Sequence, residues 1–300
     1  MIAIANFVMK GPKQAYLSAI AFSLLTVWFG PMGLFVGAII ALVTLRVGID
    51  DGLKLLFASA LTHLAVSFAL SGSYLPSLIA ILEFMLPVWI LSAVLRQTNS
   101  MGVTLQLAGL LAGAGLIASH LLIGDLPSWW MGLFNEAFKP VLDEAQVVYS
   151  VELIEQMAGV ITMLLAMFAV VLWFGMVLGG RWLQSVLFYP GQFQQDFHQL
   201  RLPKNVAVVT AIVAIASLFL SEQSGGLLGD LFGLLSVVLM FQGLAVVHHA
   251  VWVKQYSKGW LVALYILLFV FPQTVLVLAI IGMSDAFSDF RNRWIQDNRG

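Results

Sequence analysis

Cysteine is absent from all 300 residues, which excludes disulfides, thiolate metal sites and cysteine nucleophiles. Charge is scarce as well. Asp, Glu, Lys and Arg make up 10% of the chain, against about 25% in a soluble domain, so most of this surface cannot face water. A net charge of −1 offers no electrostatic footprint for nucleic acid. The GxxxxGK[ST] phosphate loop, HExxH, GxSxG and the DxDxDG calcium loop are all missing. With no nucleophile–base pair and no metal constellation in view, the chain is expected not to be an enzyme and to carry no cofactor or metal. A secretory signal is missing too. In MIAIANFVM-Lys10-Gly11-Pro12-Lys13 the charges follow the apolar stretch, the reverse of signal-peptide order, so the segment reads as a retained interfacial one.

What fills the chain is apolar. Hydrophobic residues make up 61% of it, and the mean hydropathy is +0.97. Apolar runs occupy 14–30, 32–46, 53–71, 76–96, 101–123, 157–180, 205–221, 227–250 and 259–283. A span needs about 20 such residues, and only a helix satisfies its own backbone in lipid. The pattern therefore predicts an all-α polytopic transmembrane bundle of eight or nine spans, with 1–300 forming one integral membrane domain in contact with the lipid bilayer. The first two runs share a break at Gly30-Pro31 and read as a tight hairpin. Threading the runs alternately through a bilayer puts ten of the first eleven basic residues on one side: Lys10, Lys13, Arg46, Lys54, Arg96, Arg181, Arg201, Lys204, Lys254 and Lys258. Only Lys139 falls opposite. Basic residues stay cytoplasmic, so the expectation is a bacterial inner-membrane protein with its N-terminus in the cytoplasm.

Segment 124–156 is the one long connection and falls on the periplasmic side. Asp125, Glu136, Asp143, Glu144, Glu152 and Glu155 oppose a single Lys139. Trp129 and Trp130 suit interfacial anchoring. Pro140 followed by Asp143 and Glu144 predicts the start of an amphipathic helix running directly into the sixth span. Crossing the bilayer once, run 259–283 would be about 37 Å long and leave Arg291, Arg293 and Arg299 outside. Pro272 at its centre allows a re-entrant hairpin instead, and both readings stand. Phe287, Phe290 and Trp294 recur at helical spacing, so the tail 284–300 is expected to be an interfacial amphipathic helix with Asp289–Arg293 as an i,i+4 pair.

Glu83 stands deep in a span, where a charge costs roughly 2.5–3.5 kcal/mol on insertion scales, which makes it a functional-site hypothesis. Pro87, four residues on, cannot donate to the Glu83 carbonyl and should kink the helix. His63 lies eight residues before Ser71 and Glu83 eight after Leu75. In an antiparallel pair both then sit about 12 Å below the outer surface, facing each other. His120 joins them in an outward cavity as a substrate-binding hypothesis; the bland reading is carboxyl and imidazole groups hydrogen-bonded within the bundle. His248 and His249 are adjacent, so they leave the helix in different directions and read as interfacial residues. Gln106, Gln242 and Gln273 suit bonds between helices, and small-residue spacings such as Gly109/Gly113 and Gly175/Gly179 suit close helix packing.

From Gly233 the chain reads GLLSVVLMFQGLAVVHHAVWVK, and after another apolar run LAIIGMSDAFSDFRNR. This resembles the YybS-like family of bacterial predicted membrane proteins over nearly the whole chain. Gln242-Gly243-Leu244 matches the family's glycine-led late span. Gly282, Asp285, Asp289, Phe290 and Arg291 match its closing signature. The resemblance implies a membrane protein and carries no activity. The layout of the first six spans is also similar to the substrate-binding S components of energy-coupling-factor vitamin transporters. Those dock on a membrane partner through Ala-x-x-x-Ala, a spacing that Ala15 and Ala19 reproduce; three further spans and the lack of a vitamin-contacting motif are departures from that pattern. Two functions remain: a protein that binds or transports a small molecule, and an envelope scaffold or assembly factor without one.

Overall fold

The computed structural model describes residues 1–220, 225–288, 290 and 291, and among these all regular structure is helical. In chain order the helices are α1 (Ile2–Val8), α2 (Pro12–Trp28), α3 (Gly33–Arg46), α4 (Ile49–Ser71), α5 (Leu75–Ala80), α6 (Leu86–Thr98), α7 (Met101–Ile123), α8 (Leu126–Leu133) and α9 (Lys139–Glu144). They continue as α10 (Val151–Ala158), α11 (Ile161–Phe188), α12 (Gln192–His198), α13 (Lys204–Leu220), α14 (Leu227–Val253), α15 (Gly259–Val270) and α16 (Thr274–Ser288). Helix boundaries follow local chemistry. Pro12 opens α2, and the Gly30-Pro31 break becomes a one-turn 3-10 helix before α3. Asp50 and Asp51 occupy the first turn of α4, at its positive dipole end. Gly72 ends α4 and Asn99 ends α6, both left-handed.

Among the described residues, five helices are long and apolar enough to cross a membrane: Ile49–Ser71, Leu75–Thr98, Met101–Ile123, Ile161–Phe188 and Leu227–Val253. The other runs form shorter apolar helices, among them Gly30–Arg46, Lys204–Leu220, Gly259–Val270 and Thr274–Ser288. The expected eight or nine spans therefore appear as five full-length helices and several shorter ones. Run 259–283 is not one rod. It breaks at Phe271–Gln273, where Phe271 is extended (φ −120°, ψ 97°), as a residue before proline prefers.

Proline also explains two wide helical turns. Leu86 N–H reaches back to the Ile81 carbonyl, closing a π turn over Ile81–Met85 just before Pro87. Lys139 N–H does the same with Phe134, just before Pro140. In each case proline removes the N–H that would bond the residue four back, Glu83 or Glu136, and its ring crowds that carbonyl. One extra residue in the turn relieves the clash. The kink expected at Pro87 takes this form.

In the connection 124–156, helix formation begins at Leu126 rather than Pro140, because Asp125 caps it by accepting from the Ser128 N–H (3.1 Å) and hydroxyl (2.6 Å). Those two bonds, the hydroxyl first, hold the Asp125 carboxyl below its usual range. Nor does the segment run directly into α11. Ser150 caps α10 through the Leu153 N–H, and a turn at Gly159-Val160 separates α10 from α11.

The helices divide into two compact units, one of Met1–Ala108 with Val171–Arg201, the other of Gly109–Val170 with Leu202–Gly300. In the first, α3 is the central helix. Ile40, Ala41, Leu42 and Thr44 are fully buried, as expected of a helix apolar all round. α2, α4 and α6 pack on α3. A Cβ at Gly180 of α11 would meet Ala41 and the Leu42 backbone, so that glycine lets α11 close on α3. In the second unit α14 is central, packed by α13 and α16, with Leu234, Val237, Leu239 and Ala245 all at most 2% exposed.

Candidate functional site

Where α3, α6 and α11 end in the first unit, a cavity of about 320 Å³ opens, lined by Arg96, Asn99, Arg181, Gln184, Tyr189 and Asp196 among others. The sequence assembles it in steps. Arg96, in the last turn of α6, donates from Nη1 to the Thr44 and Leu45 carbonyls (3.1 and 2.7 Å) and from Nη2 to Val47 (3.2 Å). It thereby satisfies the unpaired carbonyls at the negative end of α3. After α11 the chain reverses at Pro190-Gly191, where Gly191 is left-handed (φ 88°), a conformation costly for a residue with a Cβ. The reversal lays α12 back against α11. Arg181 then donates from Nε and Nη2 to Asp196 Oδ2 (2.8 and 2.6 Å) and from Nη1 to Gln184. Gln184 donates to the Leu45 carbonyl (3.1 Å), and Gln192 to the other Asp196 oxygen (2.7 Å). Arg46 lies over the Phe188 ring (4.2 Å) and donates to the Tyr189 hydroxyl (2.8 Å). Sequence reasoning counted these arginines only as orientation signals. The hint it passed over was the polar cluster Gln184, Gln192 and Asp196 after an otherwise apolar span.

Of the residues expected to form an outward cavity, the two histidines have other partners. His63 is buried (3% exposed), and its Nδ1 lies 2.8 Å from the Ser77 hydroxyl, which also donates to the His63 carbonyl (3.0 Å). One turn further out, Ser67 donates to the Ser73 carbonyl (3.3 Å). Both contacts, 63 with 77 and 67 with 73, sum to 140, so α4 and α5 pair in that register. The expected pairing of 63 with 83 sums to 146. Glu83 therefore lies six residues, roughly 9 Å, further along than the partner of His63. Assuming flush helix ends produced the wrong register, because the chain through Ser73 folds back alongside α4. Glu83 itself is half-buried within the π turn. His120 belongs to the second unit, where Nε2 meets Asp230 Oδ2 at 2.9 Å, with both side chains largely buried. Ala15 and Ala19 are 6% and 0% exposed, on the helix that packs against α3 and α4. That stripe is turned into its own unit rather than offered to a partner.

The signature residues converge in the second unit. A Cβ on Gly243 would lie 2.0 Å from the Leu278 carbonyl oxygen, and one on Gly282 would lie 2.3 Å from that of Leu239. Both pairs sum to 521, so α14 and α16 run antiparallel with backbone touching backbone. Beside them Gln242 accepts from the Leu202 N–H (2.9 Å) and donates to Asp285 (3.0 Å), which also receives Arg291 Nη2 (2.6 Å). The Asp285 and Arg291 side chains are 1% and 2% exposed. Arg291, in the tail expected to be an interfacial helix, is buried on Asp285, whose charge it neutralises. Asp289, Trp294 and the Asp289–Arg293 pair lie outside the described residues. Gln242 bonds between elements as expected, whereas Gln106 bonds back to Gly102 of its own helix.

The sequence model of a family described as "Predicted membrane protein (DUF2232)" matches residues 16–286, consistent with the YybS-like resemblance. No curated protein and no solved structure matches.

Proposed function

As the chain belongs to this family of predicted membrane proteins, we propose that it is a multi-pass inner-membrane protein that binds a small polar molecule in the cavity lined by Arg96 and Arg181. The cavity is the observation that carries this reading. A concave pocket on which a few polar and charged side chains converge is where a ligand site is first sought, and about 320 Å³ falls in the range of ligand pockets. His63 and His120 are taken by Ser77 and Asp230, so the binding reading rests on this end of the first unit instead. On the positive-inside reading of the basic residues, that end faces the cytoplasm. The alternative, an envelope scaffold without a ligand, draws on the signature residues being built into helix packing. Native mass spectrometry with metabolite identification on the purified protein separates the two. The expected result is a copurifying small molecule, depleted at least about tenfold in Gln192→Trp, a substitution that fills the cavity from α12. A folded wild type whose copurifying molecules, lipid included, are unchanged in that variant favours the scaffold.

Orientation has its own test in this cysteine-free chain. With Gln97→Cys and Val148→Cys made singly, an impermeant maleimide applied to spheroplasts should label only the second. Labelling of both without permeabilisation sinks the topology.

A further inference from the structure

Resting on that cavity reading, we propose that the ligand carries a phosphate group, held between Arg96 and Arg181. A guanidinium has five N–H donors. Arg96 uses both hydrogens of Nη1 and one of Nη2 on the α3 carbonyls, which leaves Nε–H and one Nη2–H. Arg181 uses Nε–H, one Nη1–H and one Nη2–H on Asp196 and Gln184, which leaves one hydrogen on each terminal nitrogen. Among the described residues these four N–H groups have no protein acceptor, and they belong to two side chains lining one cavity.

Charge agrees with the donor count. Arg96 and Arg181 face a single carboxylate, Asp196, so the wall carries a surplus of one positive charge, and Arg46 adds another cation through Tyr189. The Arg181 and Asp196 side chains are only 17% and 19% exposed, so water screens charges on this wall poorly. An anion answers both the surplus and the spare donors. A carboxylate offers its oxygens in one plane, suited to one guanidinium fork. Donors arriving from two helices suit the tetrahedral oxygens of phosphate, which form short charge-assisted bonds with arginine. Phosphate reaches this site either on a soluble solute or on a lipid headgroup, since basic pockets between helices at the cytoplasmic side take headgroups. Asp196 then acts as an internal competitor, occupying the hydrogens of Arg181 that point to it.

Isothermal titration of the full-length protein in detergent with sn-glycerol 3-phosphate, with dioctanoyl phosphatidic acid, with glycerol and with succinate tests this. At least one phosphate probe should bind saturably and glycerol should not; which probe binds identifies the source. Asp196→Asn removes the competitor and should tighten phosphate binding about tenfold. Arg96→Lys, which keeps the charge at the α3 terminus, should weaken it about tenfold. A purely structural role for Asp196 predicts no tightening, and unchanged affinity in that variant overturns the proposal. Saturable binding of glycerol or of a carboxylate such as succinate with neither phosphate probe bound also overturns it, while leaving the cavity a ligand site. No binding of any probe, together with no copurifying molecule, removes both readings.

Discussion

Gly243→Ala is expected to destabilise the protein by about 3 kcal/mol or more, because the added methyl has nowhere to go. It would stand 2.0 Å from the Leu278 carbonyl oxygen and 2.7 Å from the Leu278 carbonyl carbon, both backbone atoms. A flexible side chain could swing aside; a helix backbone cannot, so α14 and α16 would have to separate along their length. Overpacking of a tight core typically costs 1–3 kcal/mol, and here the separation would also stretch the bond joining Gln242 to Asp285. Gly175→Ala is the control: nothing lies within 4 Å of its added Cβ. It should be neutral or gain up to about 1 kcal/mol from helix propensity. Thermal unfolding of both variants in the same detergent decides the matter. Equal midpoints for Gly243→Ala and Gly175→Ala would mean that the two helices do not touch backbone to backbone.

Breaking the Asp285–Arg291 pair should be as severe. With Asp285→Leu, Arg291 keeps its charge in a site where it is 2% exposed, and Gln242 Nε2 loses its acceptor. Removing one partner of a buried ion pair costs about 3–5 kcal/mol, mostly for the stranded charge, whereas replacing both with apolar residues is often neutral. The single variants Asp285→Leu and Arg291→Met should therefore each be strongly destabilised, and the double variant less than either. A double-mutant cycle reads this as a coupling of about 2–3 kcal/mol. Strict additivity would show that the two groups are solvated separately and the pair is incidental.

How legible these features were differs with their range along the chain. The apolar runs located the membrane helices to within a few residues in most cases, since length and composition alone decide whether a segment can be helical in lipid. Pro87, Gly30-Pro31 and Pro272 disturbed the chain where expected, because a missing N–H acts on the residue four back. Missed local features had weaker signals. Asp125 three residues before Ser128 is a capping pattern that starts α8, yet Pro140 drew attention to a later start.

Pairings between helices were another matter. The closing signature singled out Gly243, Gly282, Asp285 and Arg291 without saying that they touch. Their meeting depends on the register of α14 against α16, which is set by which surfaces pack most closely. His63 shows the same limit: its partner moved from Glu83 to Ser77 through a shift of six residues that nothing in the periodicity records. The cavity is the extreme case, since Arg96, Arg181 and Asp196 come from three helices and are joined by a chain reversal at Gly191. By itself, then, the sequence determined that this protein is helical and membrane-embedded, and where its helices bend, because lipid and backbone geometry act within a few residues. Only the tertiary structure decided which polar groups neutralise one another and which remain available to a ligand, because each such choice rests on the register between helices far apart in the chain.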